Sequence, residues 1–107
     1  MMTDKKLVLT TTGSREEAQR IARGLLDAHA AACVNIVGPV ESIYRWQGAV
    51  ETASEWLLII KTTADGFTNV QTTIKELHSY DLPECIQIPI EDGSAGYLQW
   101  IGEQVKK

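Results

Sequence analysis

The chain has 107 residues, 44% of them apolar and 22% charged, with ten Lys and Arg against fourteen Asp and Glu for a net charge of −4. That length suits a single domain over residues 1–107 with a real core and leaves no room for a second. The acidic balance argues against a nucleic-acid partner, whose affinity is built mostly from Lys and Arg; no apolar run reaches the roughly 18 residues of a membrane span, and no secretory h-region follows Lys5-Lys6, so the cytosol is the expected compartment.

Leu7-Val8-Leu9-Thr10-Thr11-Thr12 is a β-branched run, predicting a first strand from Lys5 to Thr12 that Gly13 stops. Ser14-Arg15-Glu16-Glu17 has the spacing of a capping box, with Ser14 as N-cap and Glu17 reaching back. Ala18, Ile21, Ala22, Leu25, Leu26 and His29 then form one stripe at helical spacing. Cys33 to Val37 is a second strand, closed by Gly38-Pro39. Ser42, Tyr44 and Trp46 share one face of a further strand, Gly48 marks a turn, and Glu55 to Thr62 is a near-continuous apolar strand of the kind buried on both faces. A second helix begins near Asp65-Gly66, carries Phe67, Val70, Ile74 and Leu77, and ends at Tyr80 to Pro83. Cys85 to Ile90 alternates like an edge strand, which Pro89 favours, and a last helix aligns Tyr97, Leu98, Ile101 and Val105.

The order is α+β: a ferredoxin-like βαββαβ plan with a C-terminal helix. Right-handed crossovers give an antiparallel sheet of order 4-1-3-2 with the helices on one face. Cys33 and Cys85 then fall on opposite edges, about 14 Å apart, too far for a disulfide.

The hairpin between the second and third strands is long for this chain. A compact chain of this size is roughly 34 Å across, and the strand from Ala53 to Thr63 already matches that width at about 3.3 Å per residue. The arm therefore projects, and Tyr44, Trp46 and Trp56 need a neighbour to cover their rings, which predicts a symmetric oligomer.

Familiar catalytic patterns are missing. There is no phosphate loop, no G-x-G-x-x-G and no C-x-x-C, and Gly93-Ser94-Ala95-Gly96 is flanked by Glu91 and Asp92, which would repel a phosphate. The apolar strand Glu55 to Lys61 lacks the aromatic and basic residues of an RNA-recognition strand. The first loop carries no sulfur for soft metal, and Arg15 is flanked by Glu16 and Glu17, which oppose an acylphosphatase-like anion site with Asn35. His78, Asp81, Glu84 and Cys85 form the one dense group of metal-ligand types; otherwise His78 is a helix C-terminal residue, Asp81 a turn residue, Glu84 solvated and Cys85 a small hydrophobe. His29 and Cys33 read as packing residues, and no nucleophile and base are paired by spacing.

Five blocks in order resemble the CutA family of divalent-cation tolerance proteins: Ala31 to Ile36, Ser42 to Gly48, Glu55 to Thr63, His78 to Glu84, and Tyr97 to Trp100. The resemblance implies a compact homotrimer without enzymatic activity, in which Tyr44, Trp46 and Trp56 serve the trimer interface and the long hairpins form intersubunit sheets. It implies no obligatory cofactor but Cu(II) or another divalent cation as ligand, with His78 and Glu84 as the metal residues. Some members have Cys where this sequence has Thr10, and a His pair where it has Leu77 and His78, which implies a weak site rather than a dedicated cage. The family also looks like the PII signalling trimers; in that alternative an intersubunit cleft binds a small ligand or a partner protein, with Lys61, Tyr80 and Glu84 in its lining.

Overall fold

In a computed structural model describing residues 3–106, the chain runs β1 (Lys5–Thr12), α1 (Arg15–Asp27), β2 (Cys33–Trp46), β3 (Ala49–Thr63), α2 (Phe67–Leu77), β4 (Ile86–Pro89) and α3 (Ala95–Gln104). Met1, Met2 and Lys107, which the expected 1–107 domain includes, lie outside the described residues. The four strands form one antiparallel sheet of order β2-β3-β1-β4, the expected order read from the other edge.

Alternation of side chains along a strand decides where the core sits. Val8, Thr10 and Thr12 of β1 and Leu58, Ile60 and Thr62 of β3 are fully buried, as are Ile21 and Leu25 of α1 and Val70 of α2. The α1 stripe is narrower than its spacing predicts. Ala18, Ile21 and Leu25 face the core, whereas Leu26 is exposed and His29 lies beyond the helix at φ 54°. His29 is exposed, and its carbonyl accepts the Lys106 amide, so its role is a turn and not packing.

Thr10 is fully buried, and among the described residues its hydroxyl has no hydrogen-bond partner. A buried hydroxyl left unpaired loses its water without compensation. Thr10→Val keeps the β-branched shape and removes the orphan, so it is expected to stabilise the fold by about 1 kcal/mol in urea unfolding. An unchanged or lowered midpoint would show that the hydroxyl is paired in solution.

Two boundaries and one helix placement differ from the sequence expectation. Gly38-Pro39 does not close β2; the strand runs on to Trp46, with a register shift between Val37 and Val40. Pro39 is tolerated because β2 is an edge strand, where a missing N–H costs no ladder bond. The second helix ends at Leu77, three residues before Tyr80, because His78 turns extended (φ −81°, ψ 139°). The third helix leaves the others. Lys61 and Lys5 point away from α1 and α2, and α3 meets both, through Tyr97 and at Gly102. It therefore crosses the opposite face of the sheet, while α1 and α2 cover the first.

That opposite face is only partly covered. Leu7, Leu9, Leu57 and Ile59 lie on it half-buried, and Val37, Ile86 and Ile88 on it are exposed. The β2–β3 arm turns at Gln47-Gly48, both at positive φ (50° and 83°), the two-residue turn that matches strand twist. Its projection stretches the protomer to 44 × 27 × 21 Å with a radius of gyration of 14.3 Å, against about 13 Å for a compact chain of this length.

Candidate functional site

Pairing of Ser42 with Ala53 and of Tyr44 with Glu51 places Ser42, Tyr44 and Trp46 on the same side of the arm as Glu55. The segment between α2 and β4 closes over this side. Together they line a groove of about 610 Å³ that contains Thr11, Tyr44, Trp46, Glu55, Tyr80, Asp81 and Glu84.

One wall is fixed by a hydrogen-bonded chain. Ser14 caps α1 as expected, accepting the Glu17 amide at 3.1 Å, but the Glu17 carboxylate does not reach back to it. It accepts the Ser79 amide at 2.7 Å and the Ser79 hydroxyl at 3.1 Å. Burial alone would raise the Glu17 carboxyl; the two Ser79 bonds, with the nearby His78 ring and the Arg20 charge, outweigh it and hold the group below its ordinary value. His78 has a fully buried side chain. Its Nε2 lies 2.7 Å from the Thr11 carbonyl and so donates, while Nδ1 accepts the Tyr80 amide at 3.1 Å. The ring thus uses both nitrogens to pin the Tyr80 segment to the end of β1.

Tyr80 stacks on His78 with ring centroids 4.6 Å apart and donates its hydroxyl to Glu55 at 2.8 Å. Desolvation, then the hydrogen bond to and charge of Glu55, push the phenol up to about 12. Cys85 is also pushed up, by burial and then by the Glu84 charge, so it is a poor source of thiolate.

The groove brings Tyr80 and Glu84 together with Tyr44 and Trp46. Lys61 lies apart: its Nζ is 3.2 Å from the Tyr97 hydroxyl, and it is not in the groove lining. Trp56, expected at an interface, packs against the protomer's own core and across Gly38, where any side chain would strike the indole. Both cysteines are free. Among the described residues no three His, Cys, Asp or Glu side chains converge to hold a metal ion. As placed, His78 has no nitrogen lone pair to offer one.

Glu17, Ser79 and Glu55 were not legible as site residues. Glu17 matched a local cap, and its true partner lies 62 residues away; Glu55 opened an apolar strand with no local sign of its Tyr80 contact.

The sequence profile of the CutA1 divalent ion tolerance protein family matches residues 6–104. The chain belongs to the CutA1 family. Within it, the chain is similar to the divalent-cation tolerance protein CutA of Thermus thermophilus, at 44% identity over 99 residues, or 92% of this chain and 96% of that one. The solved Thermus thermophilus CutA1 structure superposes with a TM-score of 0.94 at 43% identity, covering 95% of this chain and 99% of the other. A CutA structure from Archaeoglobus fulgidus, described as periplasmic, gives 0.92 at 42% identity, covering 95% of this chain and 99% of that one. A rice CutA described as chloroplastic is 39% identical over 94% of this chain, which spans 57% of the rice protein. CutA1 relatives are thus named for tolerance to divalent ions and for differing compartments. In this CutA1 chain no described helix is long and apolar enough to cross a membrane.

Proposed function

We propose that this chain works as a non-catalytic cytosolic homotrimer that contributes to divalent-cation tolerance, with copper the first ion to test. The observation that carries the reading is the uncovered apolar sheet face, with Val37, Ile86 and Ile88 exposed on it, continuing into the side of the arm that carries Tyr44 and Trp46, which are 43% and 48% exposed. Large contiguous apolar surface of this kind marks an interaction site. A second and third copy would bury it and turn each groove into an intersubunit cleft.

The groove favours cations. Glu55, Asp81 and Glu84 line it, and none of its lining residues is basic, so it concentrates positive ions near the surface. Glu84 is the residue we assign to the ion. His78, expected beside it, joins only by giving up a hydrogen bond that holds Tyr80. Binding is accordingly weak, without the multiple ligands of a structural site. Isothermal titration with Cu(II) is expected to show micromolar to low-millimolar binding that Glu84→Gln weakens and His78→Ala leaves unchanged. Loss of binding in His78→Ala with an intact fold would return the ion to the imidazole.

A second reading, a PII-like sensor trimer, is favoured by the groove itself. Its 610 Å³ lies within the roughly 300–1,000 Å³ range of small-molecule sites.

A further inference from the structure

Glu55 is a buried carboxylate without a counter-charge. Only 7% of the residue is exposed, yet among the described residues its carboxylate accepts only the neutral Tyr80 hydroxyl, and no Lys, Arg or His forms an ion pair with it. A carboxylate has room for about four hydrogen bonds, and burying one unpaired is costly. The sequence around it offers no remedy. Arg45 is the one basic residue between Val40 and Glu55, and by strand alternation it points away from the Tyr44 and Trp46 side. The segment Ser79 to Cys85 carries no basic residue at all.

We propose that the groove binds a small organic cation, an ammonium or guanidinium whose charge is met by Glu55 and whose apolar body lies against Tyr44, Trp46 and Tyr80. This deepens the sensor reading and rests on the groove being a ligand-facing surface. Three properties select that chemistry. An anion, including a nucleotide phosphate, would meet Glu55, Asp81 and Glu84 with no basic lining residue. A tightly held divalent ion requires several converging oxygens, and no such cluster forms around Glu55 among the described residues. An organic cation needs less: one carboxylate and aromatic rings, which attract a poorly hydrated positive charge.

The test uses the full chain, with the Trp46 indole N–H shift followed by NMR during titration with 2-phenylethylammonium, 2-phenylethanol and phenylacetate. These probes share a body and differ in charge. The ammonium is expected to bind about tenfold tighter than the alcohol, and the carboxylate not to saturate. Glu55→Gln, which keeps an acceptor for Tyr80, is expected to abolish the preference. Equal binding of all three probes, or no binding of the ammonium, overturns the proposal. So does a fall in particle mass on Glu55→Gln, which would assign the counter-charge to a basic side chain of a second copy. The copper isotherm is read separately, so its failure leaves this result standing and the reverse also holds.

Discussion

Ile88→Lys is expected to leave each protomer folded while cutting the particle from three times the chain's 11.8 kDa to a single copy in light scattering. Ile88 pairs with Leu7 across the β4–β1 ladder and therefore faces away from the α1–α2 core, where it is 41% exposed. Its neighbour on the same face, Ile86, is 52% exposed. Ile88 lies on an edge strand outside the α1–α2 core, so urea unfolding of the monomer should change less than the assembly does. In the assembly it places a charge in an apolar seam once per copy, and an uncompensated buried charge costs roughly 3–5 kcal/mol. Trp46→Ala tests the arm in the same way. A ring buried at an interface costs about 2 kcal/mol or more when truncated. Unchanged particle mass in both variants would remove the open face and the arm from the assembly.

Glu17→Ala is expected to destabilise the fold by about 2 kcal/mol at neutral pH, because it removes two hydrogen bonds to a charged group. The effect should be largest locally, with faster amide exchange at Ser79 and Tyr80, since the carboxylate holds the segment that walls the groove. Its pH dependence has a definite sign. The folded carboxyl sits below its reference value of 4.5, so the unfolded chain takes up the proton first on acidification. The stabilisation is fully present above about pH 4.5 and is lost as pH falls through the folded value. Glu17→Gln should therefore flatten the loss of stability between about pH 5 and 3. An equally steep acid transition in that variant would place the acid-sensitive contact elsewhere.

The two predictions differ in how far the sequence anticipates them. The arm is visible in the sequence because a strand's length and its aromatic residues are local properties, and Trp46 is exposed as they suggest. Trp56 carries the same aromatic signal but is half-buried within the protomer, since its neighbour Gly38 reaches it only through the β2–β3 pairing and the bulge between Val37 and Val40. His78 stands in a cluster of ligand types, yet the fold uses both its nitrogens as a strut. No spacing rule reveals that, because the Thr11 carbonyl it binds lies 67 residues earlier.

The sequence by itself determined the element order and the strand order, because hydrophobic period, turn residues and crossover handedness act over short stretches of chain, and its five motif blocks carried the resemblance to the family. Tertiary structure alone decided that α3 crosses to the other sheet face, that Glu17 anchors Ser79, and that Glu55 is buried beneath Tyr80 without a counter-charge. These are meetings of polar groups distant in sequence. Their partners are chosen by which side chains the packed sheet and helices bring within hydrogen-bond reach, and local pattern carries no record of that choice.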